Sequence, residues 1–148
     1  MDVRTIPKSR RHPHFGQDQL AVSLEQHGIQ YIHLPGLGGL RHARKDSINT
    51  GWKNASFRGY ADYMQTPAFR ESLTKLVELA AAGPTVIMCA EAVPWRCHRS
   101  LIADGLAARG VEIEHILTAT SRKPHKYTPF ARVEGELVTY PALPLIES

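Results

Sequence analysis

Apolar and polar positions follow two rhythms along this chain, and the changes between them mark its predicted elements. Asp2-Val3-Arg4 reads as the tail of a strand, followed by a loop over 5–16 punctuated by two prolines. Over 18–27, Leu20, Leu24 and His27 recur at helical spacing, and Gly28 is placed to end that helix. Residues 29–34 alternate, with Ile29, Tyr31 and His33 on one face, which predicts a strand. Pro35-Gly36-Leu37-Gly38-Gly39 predicts a tight turn or a close backbone approach. It lacks the third glycine and following helix of a dinucleotide fingerprint.

Residues 41–56 are polar and aperiodic, so they read as a surface loop. A short helix is expected over 57–64, carrying Tyr60 and Tyr63. Thr66-Pro67 caps a longer one ending at Gly83, with Phe69, Leu73, Leu76 and Ala80 as its core stripe. The run 85–89 is unbroken and apolar, as in a strand buried on both faces. It meets Pro94, a good first residue for a helix over 95–109 with Cys97 on its core face. Gly105 within that helix implies a close crossing over the sheet, and Gly110 ends it. Residues 111–116 predict a further strand with His115 near its end, 118–130 a basic, turn-rich stretch, and 130–133 with 137–140 a hairpin around Gly135. This order predicts one α/β domain over 1–148, with a mostly parallel sheet flanked by helices in three layers and a small C-terminal hairpin.

Composition narrows the class. The 148 residues suffice for one cored domain. No apolar run approaches the roughly 20 residues of a membrane span, and no secretory leader is read at the N-terminus. Two cysteines do not make a disulfide framework, so a cytoplasmic protein without membrane attachment is expected. A net charge of +4 favours an anionic partner.

The chemistry concentrates between Cys89 and Arg99, where both cysteines, Glu91, His98, Arg96 and Arg99 lie. Ligands of open parallel sheets bind at such strand-to-helix junctions. Three chemistries compete. A thiol nucleophile would use Cys97 or Cys89, activated by arginines and a helix N-terminus. The phosphatase spacing fails, because Arg96 falls one residue late after Cys89 and Trp95 stands in its place. A metal is not assigned: Cys-x₇-Cys-His is no zinc pattern, and neighbours at 97 and 98 would diverge by about 100° on a helix. Anion binding would use Arg96 and Arg99, with Glu91 as general base or orienting one arginine, and His98, His33 or His115 in proton transfer. The bland alternative is a structural ion pair of Glu91 with an arginine, satisfied histidines and two buried thiols.

Three segments together resemble the family called domain of unknown function 488. They are 2–10, which holds Asp2-Val3-Arg4, Pro7, Ser9 and Arg10; 28–39, which ends Leu37-Gly38-Gly39; and Cys89-Ala90-Glu91 with Pro94 and Cys97-His98-Arg99. The resemblance implies a compact prokaryotic α/β domain with these motifs gathered around one site, and no established activity. Members usually begin with a strand and helix ahead of the Asp-Val-Arg strand. Met1 stands directly before it here, so an exposed sheet edge beside 2–4 is expected, a surface for homodimer pairing.

The leading expectation is therefore a phosphate-bearing ligand, nucleotide or nucleic acid, at the strand ends. Arg4, Arg10, Arg96 and Arg99 would contact the anion, and Glu91, His98 and Cys97 are the catalytic candidates. Ser9, His33, Gly38, Gly39, Cys89 and Pro94 would line the pocket; no cofactor is specified. The rival is a non-catalytic nucleic-acid-binding or regulatory module, with basic loops at 4–11, 41–45 and 122–126 and Trp52 or Tyr127 stacking on bases. A thiol-dependent enzyme is the third reading.

Overall fold

The computed structural model describes residues 1–8, 12–90 and 97–142. Four helices form its body: α1 (Gln17–Gln26), α2 (Ala55–Met64), α3 (Pro67–Ala80) and α4 (Arg99–Ala108). Two antiparallel hairpins follow, β1 (Glu114–Thr118) with β2 (Ser121–Pro124) and β3 (Arg132–Glu134) with β4 (Leu137–Thr139).

The helices start and stop where local chemistry dictates. Asn54 caps α2 by accepting the N–H groups of Ser56 and Phe57, and Thr66 caps α3 by accepting that of Phe69. Gly28 and Gly110 follow α1 and α4 with positive φ of 72° and 80°, which glycine adopts without penalty. The stripe Phe69, Leu73 and Leu76 of α3 is buried against Tyr60, Ala61 and Met64 of α2 and Leu101, Ile102 and Leu106 of α4. Val3, Leu34, Leu37, Val138 and Tyr140 complete the core.

The expected parallel three-layer sheet does not form among the described residues. Among the described residues, both two-stranded sheets are antiparallel, and parallel pairing is confined to two isolated bridges, Asp2 with His33 and Asp2 with Met88. Three extended segments meet at Asp2 without forming a ladder. The run 85–89 is not buried on both faces, since Val86 is 58% exposed. The expected strand 29–34 likewise leaves Ile29 53% exposed. With its flanks in water, neither segment has a second layer to pack against, which a parallel sheet requires. Nor is the edge beside 2–4 open: the Asp2 N–H donates to the Ile32 carbonyl and the Val3 N–H to the Met88 carbonyl, on opposite sides.

Three further expectations change. The helix expected from 95 begins at Arg99, so Cys97 lies ahead of it. Gly105 crosses closely over α3, not a sheet; an added Cβ would stand 3.3 Å from Leu73. The 118–130 stretch contains β2, which pairs with β1 and carries the strand expected at 111–116 two residues further on. The C-terminal hairpin forms as expected, with Gly135 at φ 60°.

Candidate functional site

The N-terminal segment supplies a buried ion pair. Asp2 is fully buried and Arg4 is 7% exposed. Arg4 Nη2 donates to Asp2 Oδ2 at 2.6 Å and Nε to Oδ1 at 2.9 Å, a two-point contact. The Tyr31 hydroxyl donates to the same carboxylate. Burial pushes Asp2 up, but hydrogen bonds from Arg4 and Tyr31 outweigh it and hold its pKa below the ordinary 3.8. The Arg4 carbonyl accepts from His33 Nε2 at 2.7 Å.

The Leu37-Gly38-Gly39 loop packs directly on this segment. A Cβ at Gly38 would lie 2.4 Å from Thr5 Oγ1, and one at Gly39 would lie 2.6 Å from His98 Nδ1. Glycine at both positions is thus a steric requirement of close approach. The Tyr60 hydroxyl of α2 donates to the Leu37 carbonyl at 2.9 Å, and the Tyr60 ring lies 5.0 Å from that of His98.

His98 links the segments. Its Nε2 lies 3.0 Å from the Val3 carbonyl. A carbonyl only accepts, so Nε2 carries hydrogen and Nδ1 is turned to the Cys97 sulfur at 3.5 Å. Cys97 is 4% exposed and its sulfur accepts from the Arg99 backbone N–H and from Arg99 Nε, each at 3.4 Å. Cys89, half-buried, places its sulfur 2.6 Å from that of Cys97, and neither is in a disulfide. The Cys97 thiol is drawn from 9.0 down to about 4, by the Cys89 contact first and by His98 and the Arg99 N–H, against the upward push of burial.

A second polar cluster adjoins. Asp104, fully buried in α4, accepts from His125 Nε2 at 2.8 Å, from Thr128 Oγ1 and the Tyr140 hydroxyl at 2.7 Å each, and from the Thr128 N–H at 3.2 Å. His125 Nδ1 lies 2.7 Å from His115 Nε2. Burial, then the charges of His125 and Arg99, lower the His115 pKa, so this chain of groups reaches the neighbourhood of Arg99.

Of the residues the sequence singles out, the fold brings Gly39, Cys89, Cys97, His98 and Arg99 together, with Gly38 one step away. Arg4 and His33 stand beside them, but the Arg4 guanidinium is bound to Asp2. Ser9, Arg10, Glu91, Pro94 and Arg96 lie outside the described residues. Of the stacking candidates, Trp52 packs against Phe57, Phe130 and Tyr140, while Tyr127 is 41% exposed. In the basic loop 41–45, Arg41 lies 3.6 Å over the Tyr63 ring and Arg44 pairs with Asp46. Two surface hollows, of about 360 and 490 Å³, lie on single faces of α1 and α3 and hold none of these groups.

Sequence reasoning placed Asp2 in a family motif without giving it a role, and it missed Tyr31, Asp104 and His125 as site residues. Asp104 had a signal, a lone charge in the apolar run Leu101-Ile102-Ala103-Asp104-Gly105-Leu106.

Fold and site together define a small helical domain with a cysteine–cysteine–histidine cluster seated on a buried N-terminal ion pair. The chain belongs to the family described as Domain of unknown function DUF488, whose profile matches residues 1–106. Neither the curated proteins nor the solved structures gave a match. Among the described residues, no helix is long and apolar enough to cross a membrane.

Proposed function

We propose that this protein is a thiol-dependent redox protein in which Cys89 and Cys97 interconvert between dithiol and disulfide. The observation that carries the reading is the 2.6 Å contact between the two sulfurs. That lies within about 0.6 Å of a bonded pair at roughly 2.05 Å.

The oxidant would be a small disulfide, RSSR. Cys89 is the more exposed cysteine of the two and meets it. Its thiolate attacks one sulfur of RSSR, that bond breaks, and one RS⁻ leaves. The Cys97 sulfur then attacks Cys89 and expels the second RS⁻. The Arg99 N–H groups support the charge on Cys97 before attack, and the proton that Cys89 gives up passes to the departing RS⁻. Two thiols lose two electrons and two protons, and RSSR becomes two RSH.

A phosphate-bearing ligand remains the second reading, supported by the net charge of +4. Within the described residues its arginines are engaged elsewhere, Arg4 with Asp2 and Arg99 with the Cys97 sulfur.

The test is oxidation of the reduced protein with glutathione disulfide, followed by intact-mass and peptide analysis. We expect an intramolecular Cys89–Cys97 bond, two hydrogen masses lost, and full reversal by dithiothreitol. Stable glutathione adducts without a Cys89–Cys97 crosslink would sink the reading. Thermal shift with phosphate and nucleotides, run in parallel, tests the second one.

A further inference from the structure

We propose that the reduced protein binds one zinc ion through Cys89 Sγ, Cys97 Sγ and His98 Nδ1. The site shares its sulfurs with the thiol reading and deepens it, because the disulfide would remove two of the three ligands.

Cys89, Cys97 and His98 offer three soft or borderline donors, all within 4.8 Å of one another. Two thiolates and an imidazole suit zinc, and two thiolates balance its charge. With Zn–S of about 2.3 Å and Zn–N of about 2.0–2.1 Å, a tetrahedral site has a sulfur-to-nitrogen edge of about 3.5 Å. The Cys97–His98 separation is 3.5 Å, already that edge. The corresponding sulfur-to-sulfur edge is about 3.8 Å, so the sulfurs, now at 2.6 Å, would part through a torsion change at Cys89.

The histidine is prepared as ligating histidines are. Its Nε2–H is fixed on the Val3 carbonyl, which leaves the Nδ1 lone pair facing the sulfurs. Gly39 leaves room for that ring, and a Cβ there would press to 2.6 Å from Nδ1. Spacing alone argued against a metal because it placed 97 and 98 on a helix, where side chains diverge. The helix begins at Arg99, and ahead of it the two side chains converge.

Cobalt(II) is the probe. Reduced wild-type protein should take up one Co²⁺ per chain, with a near-ultraviolet sulfur-to-cobalt charge-transfer band and the visible bands of a four-coordinate ion. Zn²⁺ should abolish both. In competition with a chromophoric chelator, Cys89→Ser and His98→Ala should each weaken Zn²⁺ binding at least about tenfold. Circular dichroism checks their folding, and the wild-type cobalt spectrum needs no variant. Prior disulfide formation should block uptake, and reduction should restore it. No charge-transfer band in the reduced wild type, or zinc affinity unchanged in both variants, overturns the proposal. A Cys89–Cys97 disulfide that forms without any cobalt band removes the zinc site alone; absence of both removes the thiol reading as well.

Discussion

Removing the Arg4 side chain leaves a fully buried Asp2 carboxylate with, among the described residues, only Tyr31 and the Arg4 backbone N–H as donors. An uncompensated buried charge of this kind costs about 3–5 kcal/mol. We therefore expect Arg4→Ala to lower the unfolding free energy by about 3 kcal/mol in urea. If Arg4 served an external anion instead, stability would hold and only ligand affinity would fall. Asp2 also sets an acid limit. Its folded pKa lies below 3.8, so its contribution is complete above that value and is lost as pH falls through the folded pKa. At Gly39, alanine would drive a methyl to 2.6 Å from His98 Nδ1. Gly39→Ala should destabilise by about 1–3 kcal/mol and slow closure of the Cys89–Cys97 bond with glutathione disulfide. Unchanged closure kinetics would show that the ring position does not matter.

Among the elements, the crossing of α3 and α4 turns on Gly105. An alanine Cβ would meet Leu73 Cδ2 at 3.3 Å and Phe69 at 3.6 Å, and Leu73 Cδ2 is the end of a flexible side chain. Alanine also gains about 1 kcal/mol of helix propensity over glycine. Gly105→Ala should thus change stability by less than about 1 kcal/mol, whereas Gly105→Leu should overpack the crossing and cost about 1–3 kcal/mol. Thermal midpoints of the two variants check the contrast. The long loop ahead of α2 is held just as firmly. Fully buried Asn49 donates to Asp62 at 2.8 Å and Gln65 at 2.7 Å, and accepts from the Tyr140 N–H at 2.9 Å. Polar and aperiodic residues there read as a surface loop, yet their side chains tie it to the β4 end of the chain.

For the whole molecule, Asp104 joins α4 to the segment after β2 and to Tyr140 beyond β4. Asp104→Asn puts an amide donor against groups that themselves donate, so we expect a loss of about 3 kcal/mol by chemical denaturation. His115, at the outer end of the same chain, has a folded pKa below 6.5 because burial and neighbouring charge disfavour its proton. The unfolded chain then binds more protons at His115 between the folded value and 6.5, so the contribution of His115 is complete above 6.5 and declines as pH falls below it. It adds to the steady decline from Cys97, which spans 9.0 to about 4. Urea midpoints should therefore fall more steeply just below pH 6.5 than above it, and His115→Gln should remove that extra slope. A wild-type slope that does not change across pH 6.5 would contradict the assignment.

Periodicity and local chemistry determined what local forces govern. Leu20 and Leu24 marked α1, Thr66-Pro67 and the Phe69 stripe marked α3, and Gly135 marked the last hairpin. Each of these rests on contacts or torsions a few residues apart. The family motifs likewise singled out Gly39, Cys89, Cys97, His98 and Arg99, which the fold brings together. Tertiary structure decided the rest. An apolar run such as 85–89 carries no sign of which neighbours will cover it, and here the segments meet only at Asp2. Strand pairing is long-range, so the same alternation around His115 serves an antiparallel hairpin as readily as a parallel sheet. The convergence of Cys89, Cys97 and His98 depends on α4 starting at Arg99 and on Val3 and Gly39 arriving from distant positions. No spacing within one segment encodes that meeting, because it is fixed by packing among three.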